Sequence, residues 1–526
     1  MTTPVWQRWI WLVPAVFLAI FLVIPLAQLA TTFARPAGVN AVIDPTLWRI
    51  AGLAAVQAAL STMLALFIGL PIANVATRYR YRGRSIVQAL VTVPFVLPTV
   101  VVALGFRSLI GTSAPSAFVL VVIAHAYINL AVMVRVVGAR WQQHDPRFEE
   151  SARLLGARPW TTFTTVTLPM LRGAIATAAA ITFVFCFTSL GIVVVLGDAS
   201  TRTLETQVLR RTSLLLDFPG AGAAAVMQLL LVGIVLLMTV RIARKAPSEP
   251  TRARHLLPLP RDRRGRIAVR ATALGACVIV ITPIASLLIA SVSQHGALTL
   301  QWWAALGSID AGTTRLGSPL VALGISLRYA LLTAVIAGLI GGAAAIAILG
   351  TRLARATTTA AMLPLGISAA TLGLGTLLAF GRPPLDLRDT GLLIPLAHSL
   401  VAIPLVIAVA APALRAADAR ILAVAATLGA RPTRAFFSAY GPVLRIVMIA
   451  AAGLAAAVSL GEFGAASFLA RAGNPTVPMQ VVRLLGRPGE QSYGAACALA
   501  VVLIVLTFTL VLAVDRFGRR TIGVTP

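Results

Sequence analysis

Apolar residues along the chain fall into long runs separated by short polar stretches. Twelve runs are each long enough for a bilayer crossing, which takes about 20 mostly apolar residues. The first six lie near 9–33, 49–76, 86–106, 116–138, 173–197 and 220–242. The second six lie near 268–292, 321–349, 358–380, 391–411, 443–468 and 494–514. The pattern predicts an all-α polytopic membrane protein of about twelve transmembrane helices. The first run follows few positive charges and lacks a small-residue cleavage site, so it is expected to remain as an anchor. Most connections are short. By contrast, 139–172 and 412–445 each exceed thirty residues, and the stretch 241–270 is basic and proline-containing.

Composition agrees with the pattern: 58% of the 526 residues are apolar and only 11% charged. The net charge of +28 would suggest nucleic acid in a soluble protein. Here the excess is arginine at the ends of apolar runs, with Lys245 the only lysine. No nucleic-acid partner is expected; the partner this distribution implies is the lipid bilayer. Basic residues cluster at Arg78, Arg80, Arg82 and Arg84 and again in the 241–270 stretch. Because loops rich in arginine stay cytoplasmic, both termini are placed inside. The chain then divides into a first half (1–242), a basic cytoplasmic linker (243–267) and a second half (268–526). Cys186, Cys277 and Cys497 lie far apart in apolar runs and read as buried structural thiols.

The two halves repeat. At a constant offset of 273, His125 pairs with His398, Asp145 with Asp418 and Arg147 with Arg420. Gly156-Ala157-Arg158-Pro159 pairs with Gly429-Ala430-Arg431-Pro432, Phe163 with Phe436, Pro169 with Pro442, and Gln207 with Gln480. Six spans separate the copies, so both have the same membrane orientation and the repeat is parallel. Its best-matched part is the long loop between the fourth and fifth spans of each half. There Glu150–Leu155 reads as a short helix ending at Gly156, since glycine adopts the left-handed conformation that stops a helix. Pro159 suits the first turn of the next helix. Such a loop is either a structural hairpin or a functional element.

The segment Glu150–Pro169, ESARLLGARPWTTFTTVTLP, resembles the signature loop of permease subunits from binding-protein-dependent ABC importers. That family pattern is Glu-Ala-Ala, three residues, Gly, and a later Leu-Pro. The second copy, Ala423–Pro442, reads AVAATLGARPTRAFFSAYGP. The fused two-half layout, with SLGEFGAASF at 459–468, TLETQV at 203–208 and TVPMQV at 476–481, is most similar to the ferric iron and thiamine branch. The resemblance implies a type I importer-like permease of a bacterial cytoplasmic membrane. It also implies two ABC ATPase subunits, gripping loops that contain Glu150, Ala152, Gly156, Ala157, Pro159 and Pro169, and Ala423, Ala426, Gly429, Ala430, Pro432 and Pro442. An extracytoplasmic binding protein would deliver the solute, ferric iron as first choice and thiamine as second. Two departures stand out: Ala423 replaces the leading Glu, and Gly441-Pro442 replaces Leu-Pro. The two docking sites would be chemically unequal, and the glycine turns should matter more than the Glu.

No phosphate-binding loop exists, because Lys245 lacks the glycines that such a loop needs. The chain is therefore expected to be a transport subunit rather than an enzyme, binding no cofactor, with ATP used by partner subunits. Neither a His-Glu-x-x-His nor a paired-Cys metal motif is present. His125 and His398, inside spans, read as helix–helix hydrogen-bonding groups, with haem ligation or proton relay as the sharper alternative. Glu462, near the outer end of the eleventh span, either lines the pathway or outer gate, or caps the amides of its own GEFG turn. Its counterpart by local alignment is Ile192. Gln207 and Gln480 are further pathway candidates. The rival class is an ion-coupled secondary carrier of the major facilitator type, which also has two parallel six-span halves. The basic Asp515–Arg520 motif follows the last span rather than the second, and few acidic residues lie in spans. Both features count against that rival.

Overall fold

The computed structural model describes residues 6, 9–111, 116–143, 145–244, 262–308, 318–381, 386–388, 390–471 and 473–522. Residues 245–261 of the expected linker, Lys245 among them, lie outside the described residues. So do the side chains of Asp515 and of 517–520. In chain order the helices are α1 (Leu12–Phe33), α2 (Pro36–Ile43), α3 (Pro45–Arg78), α4 (Arg84–Val96), α5 (Thr99–Ile110) and α6 (Ala117–Gln143). They continue with α7 (Arg147–Leu154), α8 (Pro159–Phe187), α9 (Gly191–Leu196), α10 (Leu204–Ser213), α11 (Phe218–Arg244) and α12 (Arg263–Ser291). A two-residue hairpin, β1 (Ser293–Gln294) against β2 (Ala297–Leu298), follows. The remainder are α13 (Gln301–Ser308), α14 (Pro319–Ala347), α15 (Arg352–Ala360), α16 (Ala369–Phe380) and α17 (Leu393–Ala416). The chain ends with α18 (Ala419–Thr427), α19 (Pro432–Gly461), α20 (Ala466–Leu469), α21 (Val477–Leu485) and α22 (Glu490–Ile522).

Among the described residues ten helices are long and apolar enough to cross a membrane, and the count reaches twelve if each of two bent pairs is one span. The bent pairs correct the continuous spans expected at 86–106 and 358–380. α4 meets α5 at 105°, and the α15 segment meets α16 at the same angle. In the first break Pro98 disfavours helical backbone at Leu97, which is extended at ψ 141°. In the second, Ser368 is extended and its side chain accepts from the Thr371 amide at 3.0 Å. Leu97, Pro98 and Ser368 are buried, as non-helical backbone at membrane depth must be. The spans expected at 173–197 and 443–468 also end early. α8 stops at Phe187 and α19 at Gly461, each followed by a separate short helix.

The chain forms two compact units that interleave along the sequence. One holds Met1–Asp44, Gln207–Val226 and Ser291–Pro526; the other holds Pro45–Thr206 and Met227–Ala290. Thus α1 belongs with the core of the second six-span run, and α12 with that of the first. In the unit built on α3, α6 and α8, buried Ala65, Ile72, Ala126, Leu130, Met133 and Leu171 pack with Val269 and Ala276 of α12. In the other, Phe17, Leu18 and Leu22 of α1 join Ala344, Leu400, Ile403 and Phe436. Glycine makes both attachments close. A Cβ on Gly105 would lie 2.8 Å from the Pro283 carbonyl oxygen, and one on Gly375 3.0 Å from that of Pro25.

Gly105→Leu and Gly375→Leu should each destabilise the detergent-solubilised chain by about 1–3 kcal/mol through overpacking. Gly52, whose Cβ would meet nothing within 4 Å, is the control. Thermal unfolding midpoints should fall for the first two and hold for Gly52→Leu.

Candidate functional site: paired loops and buried polar clusters

The two long loops share one backbone design. α7 ends in Leu155, and Gly156 follows with φ +87°. The Ala157 amide donates to Ala152 O and the Gly156 amide to Arg153 O, both at 3.0 Å. α18 ends the same way: Gly429 has φ +78°, with Ala430 N to Ala425 O and Gly429 N to Ala426 O, again 3.0 Å. These paired bonds satisfy the last helical carbonyls and require a left-handed residue. Nothing lies within 4 Å of a Cβ placed on either glycine, so conformation alone demands it. Pro159 and Pro432 then open α8 and α19 in their first turns. The tips display bare apolar side chains: Leu154 and Leu155 are 88% and 89% exposed, and Leu428 82%. Pro169 and Pro442 lie further along the following helices, both exposed.

What anchors each loop differs. Glu150, the acid of the signature, is exposed; its neighbour Glu149 is buried. Arg78 at the end of α3 grips Glu149 with both guanidinium nitrogens, at 3.0 and 2.8 Å. The Thr167 hydroxyl donates to the same carboxylate at 2.8 Å, and the Arg78 guanidinium lies 5.7 Å from the Trp141 ring centre. Thr167 closes a π-helical turn, Phe163–Thr167, inside α8. Sequence spacing does not reveal Glu149, because its partner is 71 residues away. At the same offset of 273 the second loop has Leu422 and Tyr440. Leu422 packs on the cluster that contains Phe436 and Tyr440, whose rings are 4.9 Å apart. Trp6 completes it, 5.0 Å edge-on to Phe436 and 6.0 Å from Phe437.

The two histidines are fully buried, one in each unit. His125 Nδ1 lies 2.9 Å from Gln57 Nε2, which also donates to the Ser61 hydroxyl at 2.8 Å. His398 Nδ1 lies 2.8 Å from the Ser459 hydroxyl, itself 3.1 Å from that of Thr333. His398 Nε2 is 3.2 Å from Glu462 Oε2. That oxygen accepts from the Ala465 and Ala466 amides at 3.0 and 3.3 Å, so Glu462 caps the turn that follows it. The histidines therefore tie helices together. Among the described residues no group of three His, Cys, Asp or Glu side chains could hold a metal.

Packing revises the counterpart of Glu462. Gly191 abuts Thr99 and Val100, while Gly464 abuts Ala369 and Ala370, the equivalent start of the bent span. That match keeps the offset of 273 and puts Ser189, not Ile192, opposite Glu462. Gln207 and Gln480 are both buried. So is Glu205 within TLETQV, which accepts from Gln228 Nε2 at 2.5 Å.

Residues 65–247 match the family described as "Binding-protein-dependent transport system inner membrane component". The sulfate transport system permease protein CysT of Escherichia coli (strain K12) is 28% identical over 233 residues, 40% of this chain and 82% of that protein. A probable sulfate transport system permease protein, cysT of Zygnema circumcarinatum, is 30% identical over 224 residues, 40% of this chain and 78% of its own. The chain belongs to this permease family. The thiamine transport system permease protein ThiP of Brucella abortus (strain 2308) is 25% identical over 501 residues, 90% of this chain and 88% of the relative. The protein is thus a multi-pass permease subunit of an ABC importer for a small solute.

Removing either half of the buried pair leaves the other charge uncompensated, which costs about 3–5 kcal/mol. Glu149→Ala should therefore destabilise the permease strongly, while Glu150→Ala stays within about 0.5 kcal/mol as a surface change. Thermal unfolding of the two variants compares them directly; equal midpoints would remove the anchor.

Proposed function

We propose that this one chain supplies both translocating halves of the importer, 1–242 and 268–526, joined by the linker at 243–267. The supporting observation is the relative whose match runs through 90% of the chain, both halves included. A second permease copy is then unnecessary. Two ABC ATPase subunits dock on the loops built around Gly156 and Gly429, and an extracytoplasmic binding protein delivers the solute on the other side. Both termini face the cytoplasm, ATP is hydrolysed by the partners, and no cofactor resides in this chain. The exposed leucines at 154, 155 and 428 suit such docking, since apolar tips held on short, well-ended helices offer area at small entropic cost. ATP-driven closure of the partners would move the loops and alternate access.

Among solutes, we place thiamine first. The full-length relative carries that name, and none of the relatives above is an iron permease, so the order expected from sequence is reversed. Thiamine is cationic, and Glu462 and Glu205 are the buried acids that a pathway for it would draw on. Glu462, Gln207, Gln480, His125 and His398 remain the candidates for that pathway. A carrier driven by an ion gradient is disfavoured by family membership.

Purification of the tagged chain in mild detergent should bring down an ATPase at two copies per permease, stimulated by a binding protein whose ligand is thiamine. A chain that transports on an ion gradient without an ATPase would overturn the reading. Within the complex, Gly156→Val and Gly429→Val together should abolish ATPase co-purification. Each forces a β-branched residue into a left-handed conformation that costs about 1–2 kcal/mol. Asparagine at both sites should be tolerated, because it adopts that conformation readily. Wild-type transport by the double valine variant would rule out these loops as the docking sites.

A further inference from the structure

We propose that the second half binds one anionic phospholipid, an acyl chain in a groove between α14 and α19 and its phosphate on Arg445. The groove is a cavity of about 380 Å³ lined by Ile10, Gly338, Gly342, Ile346, Met448 and Arg445, with further apolar side chains between. Among the described residues Arg445 is the one charged side chain in that lining.

The internal repeat shows that the groove is not forced by the fold. A Cβ on Gly69 would meet Met133, and one on Gly341 would meet Val406, so α3 and α14 correspond at an offset of 272. On that register Leu66 and Leu70 stand where the second half has Gly338 and Gly342. Leu66, Leu70 and Ile175 pack against the buried cluster of their own unit. Met448 takes the place of Ile175, while the arginine is kept, Arg172 in one copy and Arg445 in the other. The second half has given up two leucines and kept the cation.

Depth and chemistry identify the occupant. From Ile446 to Gly461 there are sixteen residues without a charge, and α14 has none after Arg328. The groove therefore lies at hydrocarbon depth, with Arg445 at its aqueous rim, on the side of the paired loops. Leu339 and Ile449 beside it are 69% and 49% exposed, as lipid-facing side chains are. An apolar slot holds an acyl chain. A guanidinium at the edge of hydrocarbon makes paired, charge-assisted bonds to a phosphate. A zwitterionic headgroup would bring its own ammonium to the same place, so a net negative headgroup is preferred.

The test uses the full chain in nanodiscs of equal phosphatidylglycerol and phosphatidylethanolamine, followed by delipidation and native mass spectrometry. Wild type should retain one phosphatidylglycerol per chain. Gly338→Leu/Gly342→Leu, which restores the first half's leucines, should lose it at least several-fold while staying monodisperse. The Cβ of residue 342 meets only the flexible end of Met448, at 2.9 Å. Gly338→Leu alone, with 3.8 Å of clearance, serves if the double variant misfolds. Arg445→Gln should lose the preference for phosphatidylglycerol. Retention of no lipid by wild type, equal retention of the two lipids, or undiminished retention by the leucine variants would each overturn the proposal. So would a cross-link from Leu339→Cys to a protein subunit. None of these outcomes depends on docking at the loops, so the two readings fail separately.

Discussion

In hydrocarbon an unpaired backbone amide or carbonyl costs several kcal/mol, and no water is present to relieve it. A continuous helix meets most of this constraint by itself, and ten spans among the described residues are single helices. The informative places are those where the chain leaves helical geometry. At Ile367-Ser368 the serine hydroxyl takes over a helix-start amide. After Gly461 the Glu462 carboxylate does the same for two amides. At Leu97-Pro98 proline removes a donor and the break is buried in protein. The acid at 462 is therefore held by backbone pairing, with His398 Nε2 3.2 Å away, and the pairing lowers the cost of keeping it there. A pathway role would use a group already fixed in position.

The repeat preserves contacts rather than side chains. Gly69 against Met133 and Gly341 against Val406 keep the same close helix approach. Gly105 on Pro283 and Gly375 on Pro25 keep the same attachment of a first span to the other run's core. Around these fixed points the chemistry has drifted. Ser61 and Thr333 correspond, as do Cys186 and Ser459, and His125 turns to Gln57 where His398 turns to Ser459 and Glu462. Close backbone approach tolerates only glycine or another small residue, whereas a buried hydrogen bond can be satisfied by several residue pairs. Divergence follows the weaker constraint.

The same distinction explains what the sequence disclosed. Hydropathy located most spans to within several residues, because bilayer thickness sets their length, but α8 and α19 begin 14 and 11 residues before the starts expected at 173 and 443. The loop turns were legible because Gly156, Gly429, Pro159 and Pro432 act through local backbone preference. The bends at 97–98 and 367–368 were not, since hydropathy stays high through both breaks. Nor was the interleaving of the units, which depends on where α1 and α12 pack rather than on where they lie in the chain. Glu149 was overshadowed by Glu150, although helix geometry turns adjacent residues about 100° apart and buries only one of them. Ile192 was matched to Glu462 by similarity over three residues, and the packing of Gly191 and Gly464 restored the register to Ser189.

The unequal anchors bear on how the permease could move. The first loop is tied to α3 through a bidentate ion pair, a link whose geometry weakens steeply once donors and acceptors separate. The second rests on Leu422, Phe436, Tyr440 and Trp6, contacts that are individually small and collectively large. Such contacts yield gradually as surfaces slide, and they belong to a cluster that takes in Ala337 and Ala344 of α14 as well as Trp6. A symmetric push on both loops would therefore meet two different responses, a stiff one carried into α3 and a compliant one spread through an apolar cluster. With both loops in one chain, that difference is fixed in every molecule, whereas two copies of a single half would present identical anchors.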